Sequence, residues 1–248
     1  DFLLQNKLIN KAFPISRISI DVTSNLMNYS VVFSTWKDLY KTEWTSYTRH
    51  PFVERIGDGT LPKSAFLNYL RQDYIFLKHF SRAWGLAIAK SGNITEMHTC
   101  SKVVHALLDE EIKLHIEFCN SEGISTSELE KTNEMHQNLA YTRFVLDAGF
   151  SGDFLDLMAA LAPCVLGYGE IGKRLGASQY SSVYEKWITT YAGKDYQSLC
   201  VEVGTLIDNA VIIRLGDNYT SLGKFRELSQ KFKIATLLEK NFWELNNI

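Results

Sequence analysis

Apolar and polar positions along most of the chain follow the 3.6-residue period of an amphipathic helix, and no stretch alternates convincingly over a strand's length. In residues 35–50 the apolar positions are Trp36, Leu39, Tyr40 and Trp44, which predicts one helix across that segment. Gly57-Asp58-Gly59 breaks the chain, and Pro62 sits where a helix favours proline early on. The helix after it carries Phe66, Leu67, Leu70, Phe76, Leu77 and Phe80, and is expected to run to about Lys90. Thr95 is the expected N-cap of a helix reaching Asn120, with Ser127 and Ser151 as later caps. The segment that follows Ser151 is almost entirely apolar and ends at Gly176, so it should be a buried helix. Ser182, Gly193 and Ser221 or Gly223 punctuate three more helices, the last running almost to Ile248. The pattern describes an all-α helical bundle over residues 36–248. Residues 1–35, rich in Asn and Ser and without a sustained period, read as an N-terminal arm, a linker or the tail of a preceding domain.

Composition narrows the function classes. Lys and Arg number 26 against 28 Asp and Glu, a net charge of −2, which gives no footprint for nucleic acid or for an anionic membrane surface. The most apolar uncharged run, Leu157 to Gly169, is short of the ~20 residues of a membrane-spanning helix. Cys100, Cys119, Cys164 and Cys200 lie far apart, without ligand spacing, and read as free thiols in a reducing cytoplasm. Neither a metal nor an organic cofactor is expected. Glu111 and His115 stand four apart, but the Glu-x-x-His pairs of a di-iron bundle are absent.

Three segments carry candidate chemistry. The apolar helix holds Cys164 and Tyr168 one turn apart, with Pro163 expected to kink it and with Gly167 and Gly169 leaving room for a flat ligand. Asp73 lies among Tyr69, Tyr74, Phe76 and Leu77. Glu239 shares a helical face with Phe242 and Trp243. A carboxyl in apolar surroundings has a raised pKa and can act as a general acid near neutrality.

The ordered set HPFVERIGDGTLP with F-x-x-Y-L-x-Q-D, then PCVLGYGEIG, then EKNFW resembles the TenA (thiaminase II) family over residues 36–248. That resemblance implies a haem-oxygenase-like fold and a thiamin-salvage hydrolase. Such an enzyme acts at the exocyclic methylene of an aminopyrimidine, in thiamin or aminomethyl-aminopyrimidine, and releases hydroxymethyl-aminopyrimidine. It implies Cys164 as nucleophile, Glu239 as the proton carrier and Asp73 as the holder of the pyrimidine's ring nitrogen and amino group. Tyr168 would line the ring face, Tyr141 would sit near the thiol, Tyr191 would position Glu239, and Phe242 would close the pocket. Relatives often carry tyrosine where this chain has Phe76, so a hydroxyl beside the thiol is lost. The resemblance also implies a small-molecule substrate, a homo-tetramer and, as in some fungal proteins, fusion to a hydroxymethylpyrimidine kinase domain. A different haem-oxygenase-like activity, and a degenerate module that binds a pyrimidine or partner without turnover, are the competing readings.

Overall fold

The computed structural model describes residues 28–178 and 183–246, and all regular structure in them is helical. Twelve α-helices are seen among these residues: α1 Val31–Leu39, α2 Lys41–Thr48, α3 Pro51–Gly57, α4 Lys63–Lys90, α5 Ile94–Ala106, α6 Ile112–Ser121, α7 Thr126–Glu130, α8 His136–Ser151, α9 Phe154–Gly176, α10 Glu185–Ala192, α11 Lys194–Leu215 and α12 Gly223–Trp243. A π-helical turn, Leu107–Glu111, joins α5 to α6.

The predicted helix over 35–50 is two helices, because Tyr40 leaves helical geometry at φ −126° and ψ 43°. Trp36 and Trp44 both stack on Phe232 of α12, at ring-centroid distances of 5.3 and 5.6 Å. Residues 28–35, read as part of the arm, include the start of α1, and Asp208 of α11 accepts from the Ser30 hydroxyl and the Val31 and Val32 amides. Ser182 lies outside the described residues.

Three caps stand two residues from their expected places. Asn93, rather than Thr95, accepts from the Glu96 amide to start α5. Ser125, rather than Ser127, starts α7 with a reciprocal bond to Glu128. Asp153, rather than Ser151, starts α9, paired in the same way with Asp156. Asn, Asp, Ser and Thr are near-equal caps, so a sequence with several of them close together leaves the choice to tertiary packing.

Helix α9 is the axis of the bundle and packs against α4, α8, α10, α11 and α12. It continues through Pro163 as a single 23-residue helix. By length and composition it could cross a membrane, but 94% of its most apolar window is buried inside the protein. Helix α10 crosses it at Gly172, where a Cβ would come within 2.5 Å of the Tyr191 backbone carbonyl carbon. That contact brings Tyr191 to the same level of the bundle as Tyr168, ring centroids 5.0 Å apart.

Candidate active site

Cys164 lies in the middle of α9, only 8% exposed, and its thiol and the Glu239 carboxyl from α12 are close enough for each to shift the other's pKa. Support for Glu239 comes from α8: the Tyr141 hydroxyl donates to its Oε1 at 2.7 Å. Burial pushes Glu239 up from 4.5 to about 8, with the Tyr141 bond pulling the other way and the Asp73 charge adding to the rise. Burial, then the charges of Glu239, Glu111 and Asp73, raise the Cys164 thiol well above its ordinary value. At neutral pH the resting pair is therefore thiol and carboxylic acid.

The space beside Gly167 and Gly169 is filled from the protein side. A Cβ at Gly167 would lie 2.5 Å from the Tyr47 ring, and one at Gly169 would lie 2.6 Å from Cys200 Sγ and 3.0 Å from the Tyr29 hydroxyl. These glycines admit neighbouring side chains instead of a flat ligand. Tyr47 donates weakly to the Pro163 carbonyl at 3.3 Å, and the charges of Glu239 and Cys164 bear on its hydroxyl. The open space lies on another side of Cys164, in a cavity of about 280 Å³ whose walls include Phe80, Leu107, Glu111, Val165 and Tyr191.

Asp73 of α4 is buried, and its Oδ2 receives His115 Nε2 at 2.6 Å and the Tyr69 hydroxyl at 3.2 Å. His115 is wholly buried on α6, and its Nδ1 lies 2.8 Å from the Glu111 backbone oxygen. Acceptors at both ring nitrogens require two N–H donors, which is the imidazolium form. Burial alone would lower the His115 pKa, but the bond to Asp73 and the charges of Asp73 and Glu111 outweigh it and raise it. An ion pair therefore sits under the aromatic wall.

Tyr191 does not reach Glu239. Its hydroxyl donates to Glu111 Oε1 at 2.6 Å, because α10 crosses α9 beside the π turn while α12 lies on another flank. Enclosure and the Asp73 charge lift Glu111 to about 7, against the opposing pull of His115 and Tyr191. Tyr168 shares a long contact with the Tyr69 hydroxyl, 3.3 Å, which also receives Trp187 Nε1 at 3.3 Å. Phe76 brings no hydroxyl; its ring centroid lies 4.9 Å from that of Tyr141 and 5.5 Å from that of Phe242. Tyr141 and Glu239 thus form one bonded pair beside Cys164, and Asp73, His115, Tyr69 and Tyr168 form a bonded group. Glu111 with Tyr191 stands on the cavity wall. His115, Glu111, Tyr69 and Tyr47 were not among the expected site residues. The four-residue spacing of Glu111 and His115 was the available signal for two of them.

The sequence profile of the TENA/THI-4/PQQC family matches residues 37–246. An aminopyrimidine aminohydrolase of Halalkalibacterium halodurans is 34% identical over 206 residues, covering 82% of this chain and 89% of that protein. A hydroxymethylpyrimidine/phosphomethylpyrimidine kinase of Saccharomyces cerevisiae is 29% identical over 173 residues, covering 68% of this chain but 31% of that protein. The crystal structure of a TenA family transcription regulator from Silicibacter sp. TM1040 superposes with a TM-score of 0.86 at 53% identity, covering 88% of this chain and 96% of that one.

Proposed function

The chain belongs to the TENA/THI-4/PQQC family, its fold is the all-α haem-oxygenase-like one, and from that premise we propose a Cys164-dependent hydrolase that cleaves aminopyrimidines at the exocyclic methylene. A thiamin-related aminopyrimidine hydrolase is the activity that its relatives' names support. The observation that carries the cysteine mechanism is Cys164 on the cavity wall with the bonded pair Glu239 and Tyr141 behind it.

His115 and Tyr69 both bond to Oδ2 of Asp73, so Oδ1 is the oxygen offered to the pyrimidine's ring nitrogen and amino group. Protonation of the ring makes its carbon electrophilic. A free thiol of pKa ~8.5 is only a few per cent thiolate at pH 7, and this one lies higher still, so it needs an acceptor as it reacts. Glu239, once it has given its proton to the ring, is that acceptor. Thiolate addition returns electron density to the ring and expels the leaving group from the methylene. Water then adds to the exocyclic alkene and the cysteine departs, giving hydroxymethyl-aminopyrimidine. Tyr141 keeps Glu239 oriented through both transfers. Tyr168, Phe76 and Phe242 supply ring faces. The substrate is thiamin, aminomethyl-aminopyrimidine or both. A cytoplasmic homo-tetramer, joined in some settings to a hydroxymethylpyrimidine kinase domain, completes the proposal.

The test is product analysis by mass spectrometry on the protein and its Cys164→Ser variant, each incubated with the two substrates. Hydroxymethyl-aminopyrimidine should form with the unaltered protein and not with the variant. Product from the serine variant would sink the cysteine mechanism. No product from either protein would favour a binding module without turnover, the reading that the missing hydroxyl at Phe76 supports.

A further inference from the structure

We propose that Glu111 is the acid that protonates the leaving group, and that it favours substrates whose leaving group is a primary amine. This rests on the function proposed above and adds a residue and a selectivity to it.

The π turn is the first observation. Single π turns within α-helices insert one residue and cluster at functional sites. Here the turn Leu107–Glu111 ends on Glu111, which lines the same cavity as Cys164. Asp109 faces away, bonded to Lys113 and His105, and the adjacent Glu110, which also borders the cavity, is exposed to solvent, whereas the Glu111 carboxyl is held by a buried tyrosine. The second observation is how the carboxyl is held. Tyr191, fully buried, fixes Oε1 at 2.6 Å, which leaves Oε2 for a group in the cavity. His115 grips the Glu111 backbone oxygen with one nitrogen and Asp73 with the other. One imidazole therefore sets the spacing between the acid offered to the pyrimidine and the acid offered to the leaving group.

Glu239 is already committed to the thiol's proton, so an amine needs a second source. With a pKa of about 7, Glu111 is partly protonated near neutrality and can supply it. Its proton goes to the amine nitrogen, the C–N bond breaks with its electron pair on nitrogen, and ammonia leaves. The water that adds to the methylene returns a proton to the Glu111 carboxylate. The sum is amine and water to alcohol and ammonia, with no other reactant. A thiazolium needs no such donor, because its C–N electrons neutralise the positive ring nitrogen as it departs.

The test compares the two substrates in the Glu111→Gln variant, whose amide oxygen can still accept from Tyr191. A lost general acid is worth about 10²–10⁴-fold, so kcat/KM for aminomethyl-aminopyrimidine should fall by at least about 100-fold while that for thiamin stays within about threefold. Equal losses on both substrates, as a structural role would give, or no loss on either, would overturn the proposal. A binding arm needs no turnover. In the Cys164→Ser background, Glu111→Gln should weaken aminomethyl-aminopyrimidine about tenfold and leave hydroxymethyl-aminopyrimidine within about threefold, the scale of one hydrogen bond to a charged group. Unchanged relative affinities would overturn the role of Glu111. If the unaltered protein turned over neither compound while binding still discriminated, the hydrolase reading would fall and recognition of the amine by Glu111 would stand.

Discussion

Replacing Glu239 by glutamine should stabilise the protein above neutral pH. The carboxyl is 2% exposed, and burial lifts it from 4.5 to about 8. A group that binds its proton more tightly folded than unfolded makes stability fall as pH rises between the two values. Below pH 4.5 both states are protonated and the cost is absent; above about 8 it is complete. At about 1.4 kcal/mol per pH unit the ceiling is on the order of 4–5 kcal/mol. Glutamine keeps the Tyr141 bond but must still house an amide beside Cys164. A net gain of about 2–3 kcal/mol at pH 9, or roughly 4–12 °C in Tm for a chain of this length, is the expectation. Thermal unfolding followed by circular dichroism at pH 5, 7 and 9, repeated at two scan rates to establish reversibility, measures it. The gap between variant and unaltered protein should open with pH and be smallest at pH 5. Because the Glu111 charge adds to the rise at Glu239, the same comparison in a Glu111→Gln background separates the two acids. A variant no more stable at pH 9 than at pH 5, relative to the unaltered protein, would refute the claim that this carboxyl is held against its own ionisation.

Two further substitutions probe the neighbouring groups. His115→Leu should lower stability by about 3–5 kcal/mol, since it leaves the buried Asp73 carboxylate without its cation, and adding Asp73→Asn should recover at least half of that in urea unfolding. Because the His115 pKa is raised above 6.5, its contribution is fully present below that pH and is lost as pH rises through the folded value, so the penalty should shrink on the alkaline side. Gly167→Ala should cost about 1–3 kcal/mol, because its Cβ would lie 2.5 Å from a Tyr47 ring hemmed in by Trp44 and Trp243. A shift in urea midpoint that persists after Tyr47→Ala is added would show that the clash lies elsewhere.

The bundle was legible because burial imposes a 3.6-residue period on each helix separately. The extent of α9 and the end of α4 at Lys90 follow from that period and from local punctuation. The break at Tyr40 does not, since it answers to Phe232, some 190 residues away in sequence. Nor does the π turn: the sequence from Thr95 to Asn120 reads as one helix, and the extra residue shows only in the hydrogen bonds. In the site, Cys164, Asp73 and Glu239 stood out as reactive groups with apolar neighbours one turn away. Their partners could not be read the same way. Tyr191 and Glu111 meet because α10 crosses α9 at Gly172, and nothing local to either residue states that crossing. His115 lies between Leu114 and Ile116, but near Lys113 and Glu117, so its local sequence fits a buried and an exposed position equally well.

The three acids of the site make sense only together. The charge of Asp73 raises the cost of ionising both Glu111 and Glu239, and that of Glu111 adds to it at Glu239. His115 is the cation bonded among them, and its contact is with Asp73. One imidazolium can balance one carboxylate in such surroundings, and like charges that close cannot all ionise. Asp73 is the acid so balanced, which leaves Glu239 and Glu111 to hold their protons near neutrality. The proposed chemistry needs that division: a fixed anion to hold the pyrimidine, one proton carrier beside the thiol and another beside the leaving group. A second cation in the enclosure would ionise a second acid and remove one of the two proton sources. In the proposed mechanism His115 therefore matters as much as the cysteine, although it stands behind the cavity wall, on the Glu111 backbone and the Asp73 carboxylate.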